Sequence, residues 1–425
     1  MNSFMKPYSL LKMAASCLLA TALLSCQADK SKGNGIERIA IENAFEHPAE
    51  LKASDCFSRV RYIPLETSDS CLIGDDPQLK VTRDYIIVMT AQEQCLLFDK
   101  QSGKFLRSIG HTGDAPGACR ELYGWLNEAS GRLHFPAIHY QTSAVYDLDN
   151  RFIGLQKEIP TPPAGSISPL EYDYLDEQTT LVHAYASETT PDRIVLIRDT
   201  TVVASFPTHG EPAGEHVPQL GISTGAFSIE TEETGGHTAY IIVEDGKCSS
   251  VSLKEHGPFW HLDGQAFVKV HFNDTIYSVT AQGLQPVRLL DFGSYRWNMD
   301  DRYRLHKDNG LFPLCFMENK RILLFRFCQH LYHPKTRKAY NAIYDKETGI
   351  TRIARYNEGI TDDLTHFLPL QPTVSNADGE FAQLLQPYEI HSWFEEHPQT
   401  DRLPAEVKRL QQLGEEDNPV VVLMQ

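Results

Sequence analysis

The chain has 425 residues, and its formal net charge of −17 argues against general nucleic-acid binding, which needs Lys and Arg to replace the counterions of the phosphates. The length would be enough for two or three separate domains. After the N-terminal leader, no apolar stretch reaches the roughly 20 residues that a membrane-spanning helix needs.

The first 25 residues have the pattern of a secretory signal. Lys6 and Lys12 precede an apolar run at 13–24 that is too short to span a bilayer. The run ends in Ser25-Cys26, which resembles a bacterial lipobox, where the thiol of the Cys takes the lipid. We therefore expect a lipoprotein signal peptide at 1–25 and a lipidated Cys26. An ordinary signal followed by a chance Cys is the alternative.

The polar, Gly-containing stretch after Cys26 predicts a flexible tether over 26–50, followed by one domain at 51–425. A lipid anchor would make the membrane a partner and place the protein in the cell envelope. The outer membrane is favoured and the leaflet is left open. Loss of Lys6 and Lys12 brings the net charge to −19. Seven cysteines follow Cys26, so at least one thiol stays unpaired, and the pairing of the others is open.

A unit of strand, Asp-led turn and strand recurs along the chain. Its clearest copies begin their turns with Asp99, Asp147 and Asp345, whose carboxylates can accept hydrogen bonds from backbone N–H groups just downstream. Gly103 and Gly349 supply the positive φ that such hairpins need. The turns recur about every 45–80 residues, near the period of four-stranded propeller blades with insertions. This pattern predicts an all-β propeller, and a sandwich of unrelated hairpins is the alternative.

The segment 221–260 fits the repeat worst and either adds strands to a blade or forms an insertion. Residues 403–414 predict a short C-terminal helix, with Pro404 in its first turn. The strand-like segments 59–65 and 418–424 are predicted to complete one blade together, because a ring of blades leaves one seam to close.

The Gly-rich segment 110–117 is predicted to cross from the outer strand of one blade to the inner strand of the next. Gly110, Gly113 and Gly117 permit backbone paths that other residues resist, and Pro116 stiffens the segment. It does not suit a phosphate, since no Lys-Ser/Thr follows and a strand comes next instead of a helix.

Four stretches carry a family resemblance: 61–67, 98–117, 272–277 and 417–421. They resemble the six-bladed β-propeller lipoproteins of gut Gram-negative anaerobes, which are distant relatives of NHL-repeat proteins. Segment 110–117 is similar to the G-x-x-G-x-x-P-G linker of NHL repeats, although the usual aromatic after Pro-Gly is displaced to Tyr123. The resemblance implies six four-stranded blades and export. It brings no catalytic residues with it.

Few residues suggest chemistry. His134 with His139, five residues apart, and His330 with His333, three apart, are weak metal candidates. Residues three apart on a strand lie on opposite faces, so His330 and His333 could share a metal only in a loop. Trp125, Trp260, Trp297 and Trp393 could stack on sugars, although core packing is the commoner fate of such rings. We predict no metal site, no cofactor and a monomer.

Two functions remain open. The first is a non-catalytic binding or interaction module for a glycan, peptide or protein, and the absence of a catalytic motif favours it. The second is an NHL-like enzyme, a lyase or hydrolase with a metal in the channel mouth.

Overall fold

The structure, a computed structural model, describes residues 35–425 except 91, 139–141, 158–169, 185–190, 209–218, 223–237, 245–246, 254–256, 303 and 334. No helix among the described residues is long and apolar enough to cross a membrane.

The N-terminal segment contributes two strands and two short helices: β1 (Glu37–Ala40), α1 (Glu42–Glu46), α2 (Ala53–Cys56) and β2 (Val60–Pro64). The predicted tether is therefore too long. From residue 37 the chain lies against the propeller, where Ile39 and Ile41 are fully buried in the cluster between blades four and five. Their burial removes apolar surface from water, which a solvated linker would leave exposed.

The first three blades are four-stranded antiparallel sheets. Blade one contains β3 (Gln78–Val81), β4 (Tyr85–Thr90), β5 (Gln94–Asp99) and β6 (Phe105–Ser108). Blade two contains β7 (Trp125–Asn127), β8 (Arg132–Pro136), β9 (Thr142–Asp147) and β10 (Phe152–Lys157). Blade three contains β11 (Leu170–Tyr174), β12 (Thr179–Ala184), β13 (Arg193–Arg198) and β14 (Thr201–Pro207).

A separate three-stranded sheet follows blade three and consists of β15 (Gln219–Ile222), β16 (Thr238–Glu244) and β17 (Lys247–Leu253). It is an insertion and not a seventh blade. Leu181 and Leu196 of blade three share one apolar cluster with residues of the next blade, so those two blades pack directly together.

Blade four contains β18 (Phe259–Leu262), β19 (Gln265–Val268), β20 (Thr275–Thr280) and β21 (Gly283–Asp291), and β1 adds a fifth strand parallel to β21. Blade five contains β22 (Leu311–Glu318), β23 (Ile322–Gln329), β24 (Lys338–Asp345) and β25 (Ile350–Arg355). Blade six contains β26 (Val374–Ser375), β27 (Phe381–Leu385), β28 (Val420–Met424) and, as its outer strand, β2. The helices α3 (Pro387–Glu396) and α4 (Ala405–Arg409) lie between β27 and β28.

The six blades form a closed ring. Apolar clusters join blades one and two, three and four, four and five, five and six, and six and one. Blades two and three meet where the ring of Trp125 stacks on Tyr172 at 6.2 Å. The six-bladed all-β propeller is confirmed.

The predicted closure of the ring is also confirmed. Strand β2 pairs antiparallel with β28, from Val60 opposite Met424 to Pro64 opposite Val420. All five residues of β28 are buried. The predicted C-terminal helix is present as α4 and a following 3-10 turn, and Pro404 is its N-cap residue. Strand β28 of the last blade thus comes from the C-terminal end of the chain and the outer strand β2 from the N-terminal part, which leaves no open seam.

Candidate binding site

The hairpins that join the first and second strands of the blades meet at one end of the ring. The carbonyl of Ala377 in blade six accepts a hydrogen bond from the N–H of Asp263 in blade four, at 2.9 Å. The Glu128 carboxylate of blade two interacts electrostatically with the backbone N–H of Ala377. These three blades are not neighbours, so both contacts reach across the channel at this end. We call this the hairpin end, and the opposite end, where the inner strands begin, the mouth end.

Five ionisable side chains from four blades lie on the inner strands or directly after them. They are Lys80 on β3, Glu128 after β7, Glu171 and Asp173 on β11, and His261 on β18. Lys80 interacts electrostatically with Asp173, Glu128 and Glu171, which belong to blades two and three. We call these five residues the channel cluster. Three carboxylates face one amine and one imidazole.

Burial perturbs two members of the channel cluster in opposite directions. It lowers the pKa of Lys80, although the nearby carboxylates act the other way. It raises the pKa of Glu128, against the effects of His261 and the Ala377 N–H. Both shifts favour the uncharged form, as expected where side chains lose contact with water.

The imidazole of His261 is held in a fixed orientation. Its Nε2 lies 3.0 Å from Asp173 Oδ1, and both side chains are mostly buried. The ring of Tyr174 stacks on the imidazole with centroids 4.0 Å apart and planes 4° apart.

The described histidines of the two candidate pairs contact other side chains. His134 stacks on Trp125 at 4.0 Å, and burial lowers its pKa to about 4. His139 lies outside the described residues. His330 and His333 approach the same residue, Asp308, with Nδ1 to carboxylate distances of 3.7 and 2.7 Å. Across the described part of the chain, no group of three or more His, Cys, Asp or Glu is arranged to hold a metal ion.

All four tryptophans are engaged in packing. Trp125 is stacked between His134 and Tyr172. Trp260 is buried, and its Nε1 donates to Glu318 at 2.8 Å. Trp297 is buried among aromatic rings, and Trp393 contacts Phe367 and stacks on His397.

The hairpin residues singled out in the sequence lie at turns. Asp99 accepts a hydrogen bond from Ser102 N at 2.8 Å, Asp147 from Arg151 N at 2.9 Å, and Asp345 from Thr348 N at 2.8 Å. Gly103 and Gly349 have φ of +71° and +73°.

Segment 110–117 lies between β6 of blade one and β7 of blade two. Gly110, Gly113 and Gly117 all have positive φ, and Pro116 lies in the same connection. Neither the turns nor this segment belongs to the channel cluster. Cys26 lies outside the described residues.

Sequence reasoning missed the channel cluster altogether. Its members have no common spacing, because each comes from a different blade or an alternate strand position. The signal would have been the first strands of the blades, which face the axis of a propeller, but the sequence patterns did not locate them.

The sequence model of DUF4934, described as a domain of unknown function, matches residues 36–425. No curated protein matches the chain. A crystal structure of a Bacteroides fragilis protein assigned as exported matches with a TM-score of 0.61 and 15% identity, covering 91% of this chain and 99% of that one. A DUF4221 family member from Bacteroides vulgatus matches with a TM-score of 0.42 and 7% identity, covering 87% of this chain and 96% of that one. At 15% identity, the likeness to the Bacteroides fragilis protein concerns the fold alone.

Proposed function

Because the chain belongs to the DUF4934 family, for which no function is defined, we propose from its own site that it is a lipid-anchored binding protein of the cell envelope, with the ligand in the channel. The channel cluster carries this proposal: a bridged channel whose inner strands bring ionisable side chains from four blades together. Concave sites with a few convergent polar groups are the usual places where ligands bind.

The anchor rests on the sequence. The apolar run at 13–24 and the Ser25-Cys26 pair predict export and lipidation, and the matching Bacteroides fragilis structure belongs to a protein assigned as exported. The outer membrane and the NHL-like lipoprotein family stay predictions. Labelled palmitate should enter the wild-type protein and not Cys26→Ala. Equal labelling of the two would refute the anchor.

The charges of the channel cluster favour a ligand with an amine. Its three carboxyl side chains, Glu128, Glu171 and Asp173, are more numerous than its two basic ones, Lys80 and His261. An amino group of a peptide or of an amino sugar would be attracted to these acidic groups in a region poor in water, where charge-assisted hydrogen bonds are strong.

A thermal-shift screen of residues 36–425 against peptides, glycans and divalent metals tests the proposal. A ligand that binds only the folded chain raises the melting temperature by mass action. Asp173→Asn removes one channel charge while keeping the shape, and it should weaken binding about tenfold or more, because hydrogen bonds to charged groups contribute about 1.5–3 kcal/mol.

Arg151→Gln provides the control, since that arginine side chain is 74% exposed and far from the inner strands. If a ligand still raises the melting temperature of Asp173→Asn but no longer raises that of a surface variant, the ligand binds outside the channel. That result would refute a binding site in the channel. A monomeric protein without a cofactor is expected, and sedimentation of the same preparation checks the monomer.

A second candidate function is acid–base catalysis in the channel. It is favoured by the raised pKa of Glu128, the lowered pKa of Lys80 and the Asp173–His261 contact, since perturbed groups cluster at catalytic sites. His261→Gln distinguishes the two functions once a ligand is found. An enzyme would lose turnover while binding persists, and a binding protein would show no turnover at all. A metal-dependent form of this hypothesis predicts a shift with divalent ions that a chelator abolishes.

A further inference from the structure

Two connections at the mouth end of blade five carry a concentration of positive charge. One is the segment 302–310, which leads into the inner strand β22, and the other is the segment 329–338, which joins β23 to β24. Together they contain six Lys and Arg residues and a single acid, Asp308. The whole chain has a net charge of −17, so the charge balance here is opposite to that of the molecule.

The two segments are held together, and their one carboxylate is already engaged. Asp308 is buried, and its carboxylate accepts a hydrogen bond from the Tyr332 N–H at 3.0 Å and lies 2.7 Å from Nδ1 of His333. Its backbone carbonyl accepts another from the N–H of His330 at 3.2 Å. Among the described residues, Asp308 therefore forms no ion pair with a Lys or Arg of either segment.

The turn at 333–338 places three cations close together. The carbonyl of His333 accepts hydrogen bonds from the N–H groups of Thr336 and Arg337, both at 2.9 Å, so the backbone of the turn has a fixed path. Lys335 and Lys338 flank Arg337 in the chain, and both are exposed. Three residues span at most about 11 Å even when extended, which lets the two Lys side chains reach a common group.

None of these three cations forms an ion pair within the part of the chain that the structure describes. Lys307 of the neighbouring segment, by contrast, pairs with Asp301 at 3.2 Å. The guanidinium of Arg337 donates from Nη2 to the Leu331 carbonyl at 2.9 Å, and its buried Nε has no hydrogen-bond partner among the described residues. Burial lowers the pKa of Arg337, as expected for a cation that loses contact with water. An anion at this turn would stabilise its charged form.

The arrangement suits a phosphate or sulfate ester better than other anions. A carboxylate has one charge and two oxygens, and a single Arg can bind both of them. A phosphate monoester carries about −1.5 to −2 and offers three oxygens, which matches three separate donors. A long polyanion would be repelled by the acidic remainder of the molecule. A small ligand with one compact anionic group is therefore favoured.

From these observations we propose that the turn 333–338 binds the phosphate or sulfate ester group of a small soluble ligand, with Lys335, Arg337 and Lys338 as the donors. We call these three residues the oxyanion site. The site lies at the mouth end, next to the segment that leads into β22. It shares no residue with the channel cluster, whose members belong to blades one to four, so either proposal can fail without the other.

Thermal-shift titrations of the chain without its leader test the oxyanion site. Glucose 6-phosphate and glucose 6-sulfate are the probes, glucose and sodium acetate are the controls, and sodium chloride keeps the ionic strength constant. A compound that binds the folded state raises the melting temperature by mass action, so the titration yields an apparent Kd. At least one ester should give a saturable shift that glucose and acetate do not give. Equal shifts with acetate, or no shift with either ester, would overturn the proposal.

A double variant, Lys335→Gln with Lys338→Gln, removes two donors that are exposed and unpaired among the described residues. It should weaken ester binding about tenfold or more, because charge-assisted hydrogen bonds are roughly twice as strong as neutral ones. Lys104→Gln with Lys157→Gln is the matched control, since it removes two exposed lysines from blades one and two. The control should bind the ester as the wild type does. An equal loss in both double variants would show a general charge effect and contradict the site.

Vesicles distinguish a soluble ligand from a membrane surface. The same chain is sedimented with vesicles of phosphatidylglycerol and phosphatidylcholine at the same ionic strength. We expect the soluble ester to bind and the chain to stay in the supernatant. Sedimentation with the vesicles that Lys335→Gln and Lys338→Gln abolish, without any response to the soluble esters, would assign the turn to a lipid surface and overturn the proposal.

Discussion

Replacement of Glu318 by Gln should destabilise the protein strongly, although it changes only the charge of one side chain. The carboxylate is 1% exposed and binds Arg288 at 2.7 Å, Lys346 at 2.5 Å and Trp260 Nε1 at 2.8 Å. Removing the negative charge leaves two cations between blades four and five with only the half-exposed Glu37 nearby. Breaking a buried ion pair from one side costs about 3–5 kcal/mol.

The expected change in melting temperature follows from the size of the folded region. An unfolding entropy of about 2.1 cal/mol/K per residue gives roughly 0.8 kcal/mol/K over residues 36–425, so the loss corresponds to about 4–6 °C. Differential scanning calorimetry of the chain without its leader measures this shift. Arg83→Gln is the control, since its ion pair with Asp378 is exposed and worth about 0–1 kcal/mol. A Glu318→Gln shift no larger than that of the control would refute the reasoning.

Three further predictions concern pH, backbone conformation and thiols. Burial lowers the pKa of His134 from 6.5 in the unfolded chain to about 4 in the folded one. The unfolded state therefore takes up a proton first as pH falls below 6.5, and the free energy of unfolding decreases through this window. His134→Phe should therefore retain about 2 kcal/mol that the wild type loses between pH 7.5 and 5, as urea unfolding at both pH values can check. Gly103→Ala should destabilise more than Gly113→Ala, because a Cβ at Gly103 would lie 2.1 Å from the Pro64 carbonyl, whereas Gly113 has open space. Equal melting temperatures for these two variants would contradict the expected clash. The thiols of Cys56, Cys71, Cys95, Cys119, Cys315 and Cys328 should resist maleimide until the chain is unfolded, because all six are buried and burial raises the pKa of Cys56 to about 12. Rapid labelling of the native chain at any of them would show that this part of the core opens.

Much of the propeller could be predicted from local patterns. The hairpins at Asp99, Asp147 and Asp345 depend on hydrogen bonds within a few residues of the same turn, so the sequence carries their signal directly. The pairing of β2 with β28 could be predicted because two apolar strands at opposite chain ends needed a partner.

Helix α3 was missed although a local signal existed. Pro387 occupies its first turn, and the Glu389 carboxylate accepts a hydrogen bond from Gln386 N at 2.7 Å. This arrangement of Pro and Glu is typical of a helix start.

The sequence by itself determined the elements whose hydrogen bonds and apolar faces are local: strands, turns, the repeat and the closing blade. Only the tertiary structure showed that Ile39 and Ile41 are buried against the ring and that β15, β16 and β17 pair in a sheet of their own. The channel cluster was also decided there. Lys80, Asp173 and His261 lie far apart in the chain, and no local interaction specifies that they meet. They are brought together because each inner strand must turn one edge toward the common axis when the blades close into a ring.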